Sequence, residues 1–312
     1  MSGPVDRVDT ASEPLAPEPA PVLEVRPSRL ADVAGTRVHR ALPRRGRRTI
    51  GAWCFLDHFR AERPDDPPAM IGPHPHLGLQ TVTWLLDGET LHTDSLGSEQ
   101  LIRPGQLNLM SAGHGVAHAE DGRRAGRAGH GVQLWVAQPE VTRNGAAAFE
   151  HHAELPRVEL GSGEAVVLVG TLGNSRSPAR TDSPLLGVDL ALDGAIEVPL
   201  VPAHEHGLVV LEGAVTIGDT TVGPDELVYL GEARDELMLR ASGPTRVLLL
   251  GGEPFEEILM WWNFVARTRE EMEAAYRDWQ ARAARFGTVR SDLPRVDAPR
   301  PQWMPEPDAP RP

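Results

Sequence analysis

Two short histidine motifs in this chain have the spacing of metal ligands on β-strands. His74 and His76 flank a proline, and His118 and Glu120 flank an alanine further along the chain. Side chains at i and i+2 share one face of a strand. If both segments are strands of one barrel, three imidazoles and one carboxylate point to the same interior position. That donor set suits a first-row transition metal, and iron in particular when positions stay open for substrate and oxygen.

Spacing alone also allows another interpretation, in which these histidines lie at the surface or are hydrogen-bonded without a metal. Without a metal, buried histidines would need other hydrogen-bond partners, because burying an unpaired polar group costs considerable free energy. Two more histidines compete as ligands. His114 lies between two glycines, which indicates a turn and favours a position at the rim of a pocket, and His92 lies on a return strand of unknown facing. In the second half, His204 and His206 repeat the H-x-H pattern, but no later His/Glu pair follows, so we predict no second metal site.

The elements that must position these side chains are short β-strands separated by turns. The run LQTVTWLL at residues 79–86 is rich in β-branched and aromatic residues and ends in Asp87-Gly88, a strong hairpin turn. Similar runs recur every 8 to 12 residues or so, which is typical of an all-β barrel or sandwich. The run LLDGET…RPGQLNLM resembles VLEGAV…GPDELVYL in order and spacing. The sequence therefore predicts a second barrel near residues 185–252, produced by internal duplication.

One helix and two tails complete the predicted organisation. The segment Thr268–Phe286 has an amphipathic stripe, and Thr268 with Glu271 forms a capping box. We expect the stripe to pack against a barrel. The predicted divisions are a disordered tail (1–22), a metal-binding domain (23–150), a second barrel with the helix (151–286) and a Pro-rich tail (287–312).

The bulk composition excludes several classes of function. The chain has 312 residues and a net charge of −13, so we expect no direct binding to nucleic acid. The acidic, Pro-rich N-terminus lacks the apolar region of a signal peptide, and no run approaches the roughly 18 apolar residues of a membrane span. The single cysteine, Cys54, has no internal disulfide partner and is interpreted as a core thiol. We expect a cytoplasmic protein.

The histidine segments resemble the pirin family of the cupin superfamily. The resemblance is most specific in the first half, covers roughly residues 35–285, and is carried by PHPHLGLQTVT, DSLG, IRPG, SAGHGVAHAE and GVQLWV, with WNF near the end. It implies a bicupin, with two β-barrels packed face to face. It also implies that the first barrel holds one iron, as Fe(II) or another divalent first-row metal, through His74, His76, His118 and Glu120.

Three positions depart from the usual family pattern. Leu77 and Gln80 replace the arginine and glutamate of H-P-H-R-G-F-E-T, and His114 replaces the arginine of A-G-R-G. The replaced glutamate is not a pirin metal ligand, so Gln80 leaves the ligand set intact but changes the polarity of the pocket. At the rim of the predicted pocket, the change from arginine to His114 replaces a permanently charged side chain with a titratable one.

The resemblance implies a quercetin 2,3-dioxygenase-like activity, with a small aromatic substrate and dioxygen as partners. In this hypothesis Glu120 is a metal ligand and also the base that accepts the substrate's hydroxyl proton. Bulky residues near the motifs either line the pocket or belong to the core; these are Leu79, Trp84, Met110 and Trp135.

A second hypothesis is a redox-sensing iron protein that regulates a protein partner without turnover. The Arg-rich segment 37–48 is then either a contact surface or a solvated loop and edge strand. A third hypothesis is a bicupin that retains a metal but has lost activity.

Overall fold

A computed structural model describes residues 23–63 and 65–305 of the chain. The predicted N-terminal tail, residues 1–22, lies outside the described residues. The first half contains the strands β1 (Glu24–Pro27), β2 (Arg29–Val33), β3 (Thr36–Leu42), β4 (Trp53–Phe59), β5 (Met70–His76), β6 (Leu79–Asp87), β7 (Thr90–Asp94), β8 (Glu99–Ile102), β9 (Leu107–Ser111), β10 (Val116–Asp121), β11 (His130–Ala137) and β12 (Ala148–His152). A short 3-10 turn, Arg123–Ala125, follows β10.

The second half contains the strands β13 (Arg157–Leu160), β14 (Gly163–Leu172), β15 (Ser175–Arg176), β16 (Leu185–Leu192), β17 (Ala195–Pro199), β18 (Glu205–Glu212), β19 (Val215–Ile217), β20 (Thr220–Val222), β21 (Glu226–Gly231), β22 (Glu236–Ala241), β23 (Thr245–Gly252), β24 (Leu259–Trp261) and β25 (Phe264–Ala266). The helix α1 spans Arg269–Gln280, and a 3-10 turn, Ala284–Phe286, follows it. Among the described residues, no helix is long and apolar enough to cross a membrane.

Two cupin barrels repeat the same strand order, which confirms the predicted fold class. The first barrel combines a sheet of order β12-β9-β6-β11-β4-β3-β2 with a sheet of order β5-β10-β7-β8. The second combines β1-β21-β18-β23-β16-β14-β13 with β17-β22-β19-β20. Strands β6 to β9 therefore occupy the places that β18 to β21 take in the second barrel. The repeated order supports the duplication that the turn spacing predicts.

The two barrels pack against each other through their larger sheets. Strand β6 is buried on both faces, because its outer face lies against the second barrel. Val82 and Trp84 from β6 share one apolar cluster with Val209 and Leu250 from the second barrel. The Nε1–H of Trp84 donates a hydrogen bond of 2.8 Å to Asp189 on β16, which fixes the ring across the interface. Trp84 is therefore a residue of the inter-barrel core.

Each end of the chain crosses to the opposite barrel. Strand β1 is antiparallel to β21 and so extends the sheet of the second barrel. Helix α1 begins with the predicted capping box, and its buried residues Met272 and Trp279 share a cluster with Leu77 and Ala117 of the first barrel. The amphipathic stripe therefore covers the barrel that carries the histidine motifs. The helix ends at Gln280, earlier than predicted, and the predicted segment ends with the 3-10 turn Ala284–Phe286.

The segment after the helix also lies against the first barrel. The backbone N–H of Val296 donates to the carbonyl of Pro73 (2.9 Å), and the indole of Trp279 donates to the carbonyl of Val296 (2.9 Å). Ala298 is buried in the same cluster as the helix. Residues 287–305 of the predicted Pro-rich tail contain neither helix nor strand. They are nevertheless packed against the barrel and hydrogen-bonded to it.

Candidate metal centre

Three of the predicted ligands converge inside the first barrel. His74 and His76 lie at the end of β5, and His118 lies on β10, directly opposite His74 in the antiparallel ladder. All three side chains are buried, and one ligand nitrogen from each lies within 4.8 Å of the others. The Nε2 atoms of His76 and His118 are 3.1 Å apart. The i, i+2 spacing on β5 and the pairing of β5 with β10 together create this cluster.

The outer nitrogens of His74 and His76 are held by backbone carbonyls. His74 Nδ1 is 2.9 Å from the carbonyl oxygen of Gly72, and His76 Nδ1 is 3.1 Å from that of Asn263. A carbonyl only accepts hydrogen bonds, so both Nδ1 atoms carry the proton. In the neutral rings, the Nε2 atoms then expose lone pairs, which is the tautomer that a metal ligand requires.

The third ligand, His118, is held by a chain of side chains. Its Nδ1 lies 3.3 Å from Nδ1 of His92, and His92 Nε2 lies 3.3 Å from a carboxylate oxygen of Asp94. Because the carboxylate accepts, the proton of His92 is assigned to Nε2, and its Nδ1 is free to accept from His118. The remaining nitrogen of His118, Nε2, then presents its lone pair to the cluster.

Burial keeps the three imidazoles neutral. Desolvation lowers the pKa of His74 to about 4, against an ordinary value of 6.5. Desolvation, together with the charge of neighbouring histidines, holds the pKa of His76 and of His118 well below that value. For Asp94, burial raises the pKa, but hydrogen bonds from His92 and Ser98 outweigh it and bring the pKa below its ordinary value. The site therefore offers three unprotonated nitrogens at neutral pH.

Glu120 lies near the cluster but outside it. A β-bulge in the pairing of β10 with β5 shifts the register after His118, so that Glu120 is opposite Ile71. The pairing of β10 with β7 is regular and places Glu120 opposite His92. Its half-buried side chain interacts with Thr83 and His92, and desolvation raises the pKa of its carboxyl. Among the described residues, the potential ligands within 4.8 Å of one another are the three histidines. The structure thus brings together three of the four predicted ligands.

Aromatic rings form the wall beside the histidines. The ring of Trp135 meets His76 edge to face at a centroid distance of 5.2 Å and stacks on Phe55 at 4.0 Å. His92 stacks on Phe149 at 4.4 Å. Of the four residues proposed for pocket or core, Trp135 contacts a predicted ligand, whereas Trp84 faces the second barrel. Leu79 is buried in the same apolar cluster as Trp135, and Met110 is buried in a separate cluster.

The three family departures have distinct surroundings. Gln80 is buried and donates its amide to Ser111 Oγ at 2.8 Å. Leu77 is buried in the cluster beneath helix α1. His114 is exposed in the turn between β9 and β10, as its flanking glycines indicate.

The second H-x-H motif does not occupy the equivalent place in its barrel. His206 lies at the start of β18, which corresponds to β6, and His204 directly precedes that strand, whereas His74 and His76 lie on β5. Both ring nitrogens of His206 are buried without a hydrogen-bond partner in the described part of the chain. Glu205 points elsewhere, accepting from the Gly51 N–H (2.8 Å) and the Tyr229 hydroxyl (2.9 Å). Among the described residues, neither histidine belongs to a group of three or more potential metal ligands.

The residues present fit a transition metal. Two nitrogens bound to one metal at about 2.1 Å and at a right angle lie about 3.0 Å apart, close to the 3.1 Å between the Nε2 atoms of His76 and His118. Each ring has its second nitrogen held by an acceptor, as in metal-binding histidines generally. Buried neutral imidazoles suit zinc, copper, iron or nickel, so the donor set alone does not select one metal.

Two residues behind the predicted ligands have contacts that the sequence does not indicate. His92, which the sequence offers only as a competing ligand, contacts His118, and the carbonyl of Asn263 contacts His76. The i, i+2 spacing of His92 and Asp94 on β7 was an available signal, because it places both side chains on one face of a strand. No local signal identifies Asn263, which comes from the turn between β24 and β25, far along the chain.

Comparisons with known proteins agree with this architecture. The sequence profile described as Pirin matches residues 35–136, and the Pirin C-terminal cupin domain matches residues 185–287. A Pseudomonas aeruginosa protein with the provisional name quercetin 2,3-dioxygenase is 46% identical over 310 residues, covering 97% of this chain and 98% of its own. A pirin-like protein of Caulobacter vibrioides is 33% identical, covering 81% and 91%. The crystal structure of an Acinetobacter baumannii quercetin 2,3-dioxygenase has a TM-score of 0.85 at 43% identity, covering 91% and 97%.

The matches extend over both barrels. The first matched range runs from just before β3 into β11 and includes all three clustered histidines. The second begins at β16 and ends just after the 3-10 turn that follows α1. The chain therefore belongs to the pirin family, as the resemblance of its histidine motifs indicates.

Proposed function

We propose that this protein is an iron-dependent dioxygenase of the quercetin 2,3-dioxygenase type. The observation that carries the proposal is the cluster of three neutral imidazoles whose Nε2 atoms face one position inside the first barrel. The names of the Pseudomonas and Acinetobacter relatives supply the reaction class and the flavonol substrate. A bound iron would supply Lewis-acid and one-electron chemistry towards a flavonol and dioxygen.

His74, His76 and His118 would hold the metal, with Glu120 as the fourth ligand. Glu120 shares a face of β10 with His118, and burial raises the pKa of its carboxyl. A nearby cation relieves the cost of burying that carboxylate, because opposite charge favours the ionised form. A metal held by these four residues would leave room for a flavonol to bind it beside the aromatic wall.

Glu120 is also our candidate for the base. Its carboxylate shares a face of β10 with His118, so it can reach the hydroxyl of a substrate that binds beside the histidines. In this proposal its carboxylate oxygen takes the hydroxyl proton of the flavonol. The rings of Trp135 and Phe55 restrict the access of water to the site and offer a flat surface to an aromatic substrate.

The test combines elemental analysis with oxygen uptake. Protein expressed with iron should contain one iron per chain and consume oxygen when quercetin is added. His118→Ala should lose both iron and uptake, and Glu120→Gln should lose uptake more than iron. His114→Ala is the matched control, because His114 is an exposed histidine on the adjoining turn.

The outcomes separate the competing functions. Iron bound without uptake across a panel of flavonols and catechols would refute the dioxygenase and favour the redox-sensing regulator. A partner whose affinity changes with the oxidation state of the iron would then distinguish that regulator from a bicupin that only retains a metal. Protein that binds no metal would refute the ligand set itself.

A further inference from the structure

A basic cavity lies where the first barrel's Arg-rich loop meets the edge of the second barrel. Its volume is about 430 Å³, and its charged lining consists of Arg26, Arg44, Arg45, Arg47 and Glu24. Four positive charges against one negative charge stand out on a chain whose net charge is −13. The volume falls within the range of small-molecule sites, which often occur between domains.

The loop that supplies three of these arginines is a closed turn. The backbone N–H of Arg44 donates to the carbonyl of Arg47 (2.8 Å), and that of Arg47 donates back to Arg44 (3.2 Å). Gly46, at the tip, has a φ of +82°, the left-handed conformation that favours glycine. Pro43 precedes the turn and restricts the backbone at its base. The turn therefore presents its arginines from a defined backbone.

Two side chains of the turn are anchored. The guanidinium of Arg44 donates to the carbonyl of Pro27 at the end of β1. The guanidinium of Arg47 lies over the ring of Tyr229 at 3.3 Å from the centroid, and its nearest carboxylate, on Glu205, is 3.7 Å away. The Nε of Arg47 is buried and has no hydrogen-bond partner among the described residues. Arg47 is thus held in place by stacking and retains donor capacity.

The other two arginines have unused charge. Arg26, on β1 opposite Leu227, and Arg45, at the tip of the turn, form no ion pair with any residue in the described ranges. Arg47, in contrast, has two carboxylates within 4.0 Å, on Glu205 (3.7 Å) and on Glu24 (3.9 Å). The cavity therefore holds two guanidinium groups, those of Arg26 and Arg45, whose charge no carboxylate of the described residues balances.

We propose that this cavity binds a small organic phosphate, a phosphate monoester dianion on a compact organic group. Guanidinium groups match the oxygens of a phosphate with two parallel hydrogen bonds, and several of them around one concave site favour a doubly charged oxyanion. The space beside Leu227 and Tyr229 is left for the organic part. The site is separate from the histidine cluster and independent of the proposed dioxygenase activity.

Isothermal titration calorimetry in phosphate-free, low-salt buffer tests the site. The probes are phenyl phosphate, inorganic phosphate and benzoate, added to the full-length metal-loaded protein. We expect saturable binding of phenyl phosphate, weaker binding of inorganic phosphate, and the weakest binding of benzoate. Arg26→Ser with Arg45→Ser should weaken phenyl phosphate binding by about tenfold or more, since each charge-assisted hydrogen bond contributes on that scale.

Matched variants distinguish this site from its alternatives. Arg240→Ser removes an exposed arginine on β22, which forms no ion pair within the described structure, and should leave affinity unchanged. His118→Ala should also leave the affinity for phenyl phosphate unchanged, because the histidine cluster is separate from the basic cavity. The proposal is overturned if phenyl phosphate does not bind saturably or if benzoate binds with the same affinity. It is also overturned if the double variant binds phenyl phosphate as tightly as wild type, or if Arg240→Ser loses as much affinity as the double variant. Circular dichroism melting checks that each variant is folded.

Discussion

The Nδ1 atoms of His118 and His92 lie 3.3 Å apart, which links the third predicted metal ligand to a carboxylate behind it. Asp94 accepts from His92 and also from the backbone N–H groups of Leu96 and Ser98, each at 2.9 Å. The position of the carboxylate is therefore fixed by the turn that follows β7. Through His92, that turn determines the tautomer of His118, so His92 is a positioning residue for the proposed metal site.

Replacing His92 should weaken metal binding without removing a ligand. We expect His92→Ala to lower iron affinity by roughly 10- to 100-fold, the range seen when the hydrogen-bond partner of a ligating histidine is lost. Competition with a chromogenic chelator measures this. His92→Gln retains an acceptor oxygen for His118 and should recover part of the affinity. Equal affinity in wild type and His92→Ala would rule out the positioning role.

Trp84 should contribute to stability and not to the metal site. Trp84→Phe removes the hydrogen bond to Asp189 and part of a fully buried ring, so we expect the free energy of unfolding to fall by about 2–4 kcal/mol. Asp189 stays paired with Arg246, which limits the loss. Urea denaturation measures the change, and iron content serves as the control. Lost iron at unchanged stability would instead identify Trp84 as a pocket residue.

Buried neutral histidines should make the protein less stable in acid. Desolvation lowers the pKa of His206 to about 4, whereas the unfolded chain has the ordinary value of 6.5. As the pH falls from 6.5 towards 4, the unfolded state takes up the proton first, so the stability present above pH 6.5 is progressively lost. The expected loss from this residue is roughly 1–3 kcal/mol.

His206→Leu tests this directly. Neither ring nitrogen of His206 has a partner in the described structure, so an apolar replacement removes an unsatisfied group as well as the titration. The variant should be as stable as wild type or more so at pH 7, with a larger advantage at pH 4.5. His114→Leu, at an exposed position, is the control. An identical dependence of melting temperature on pH in His206→Leu and wild type would contradict the prediction.

Cys54 should be unreactive in the native protein. It is fully buried, its Sγ lies 3.6 Å from the carbonyl oxygen of Trp135, and burial raises the pKa of its thiol to about 12. Because the thiolate is the reactive species, Ellman's reagent should label less than a tenth of a thiol per chain under native conditions and about one in guanidinium. Rapid native labelling would show that the surrounding strands open readily.

Local features of the chain are sufficient to predict the repeated β architecture and the convergence of three histidines proposed as metal ligands. The i, i+2 spacing of His74 and His76 places both on one face of a strand by geometry alone, and turn residues such as Asp87-Gly88 mark where strands end. The capping box at Thr268 is likewise local and lies where the sequence predicts it. Such features depend on neighbouring residues, so they can be read from a single sequence.

The arrangement around the ligands was decided by tertiary structure. His74 finds its acceptor two residues away, in Gly72, but His76 takes the carbonyl of Asn263, from a hairpin after the second barrel. Glu120 is opposite His92 because β10 pairs regularly with β7, whereas the bulge between β10 and β5 places it opposite Ile71. The sequence by itself determined which side chains were available and which shared a face. Which partner each met was set by the packing of distant strands, because hydrogen bonds and burial depend on distances that spacing along the chain does not fix.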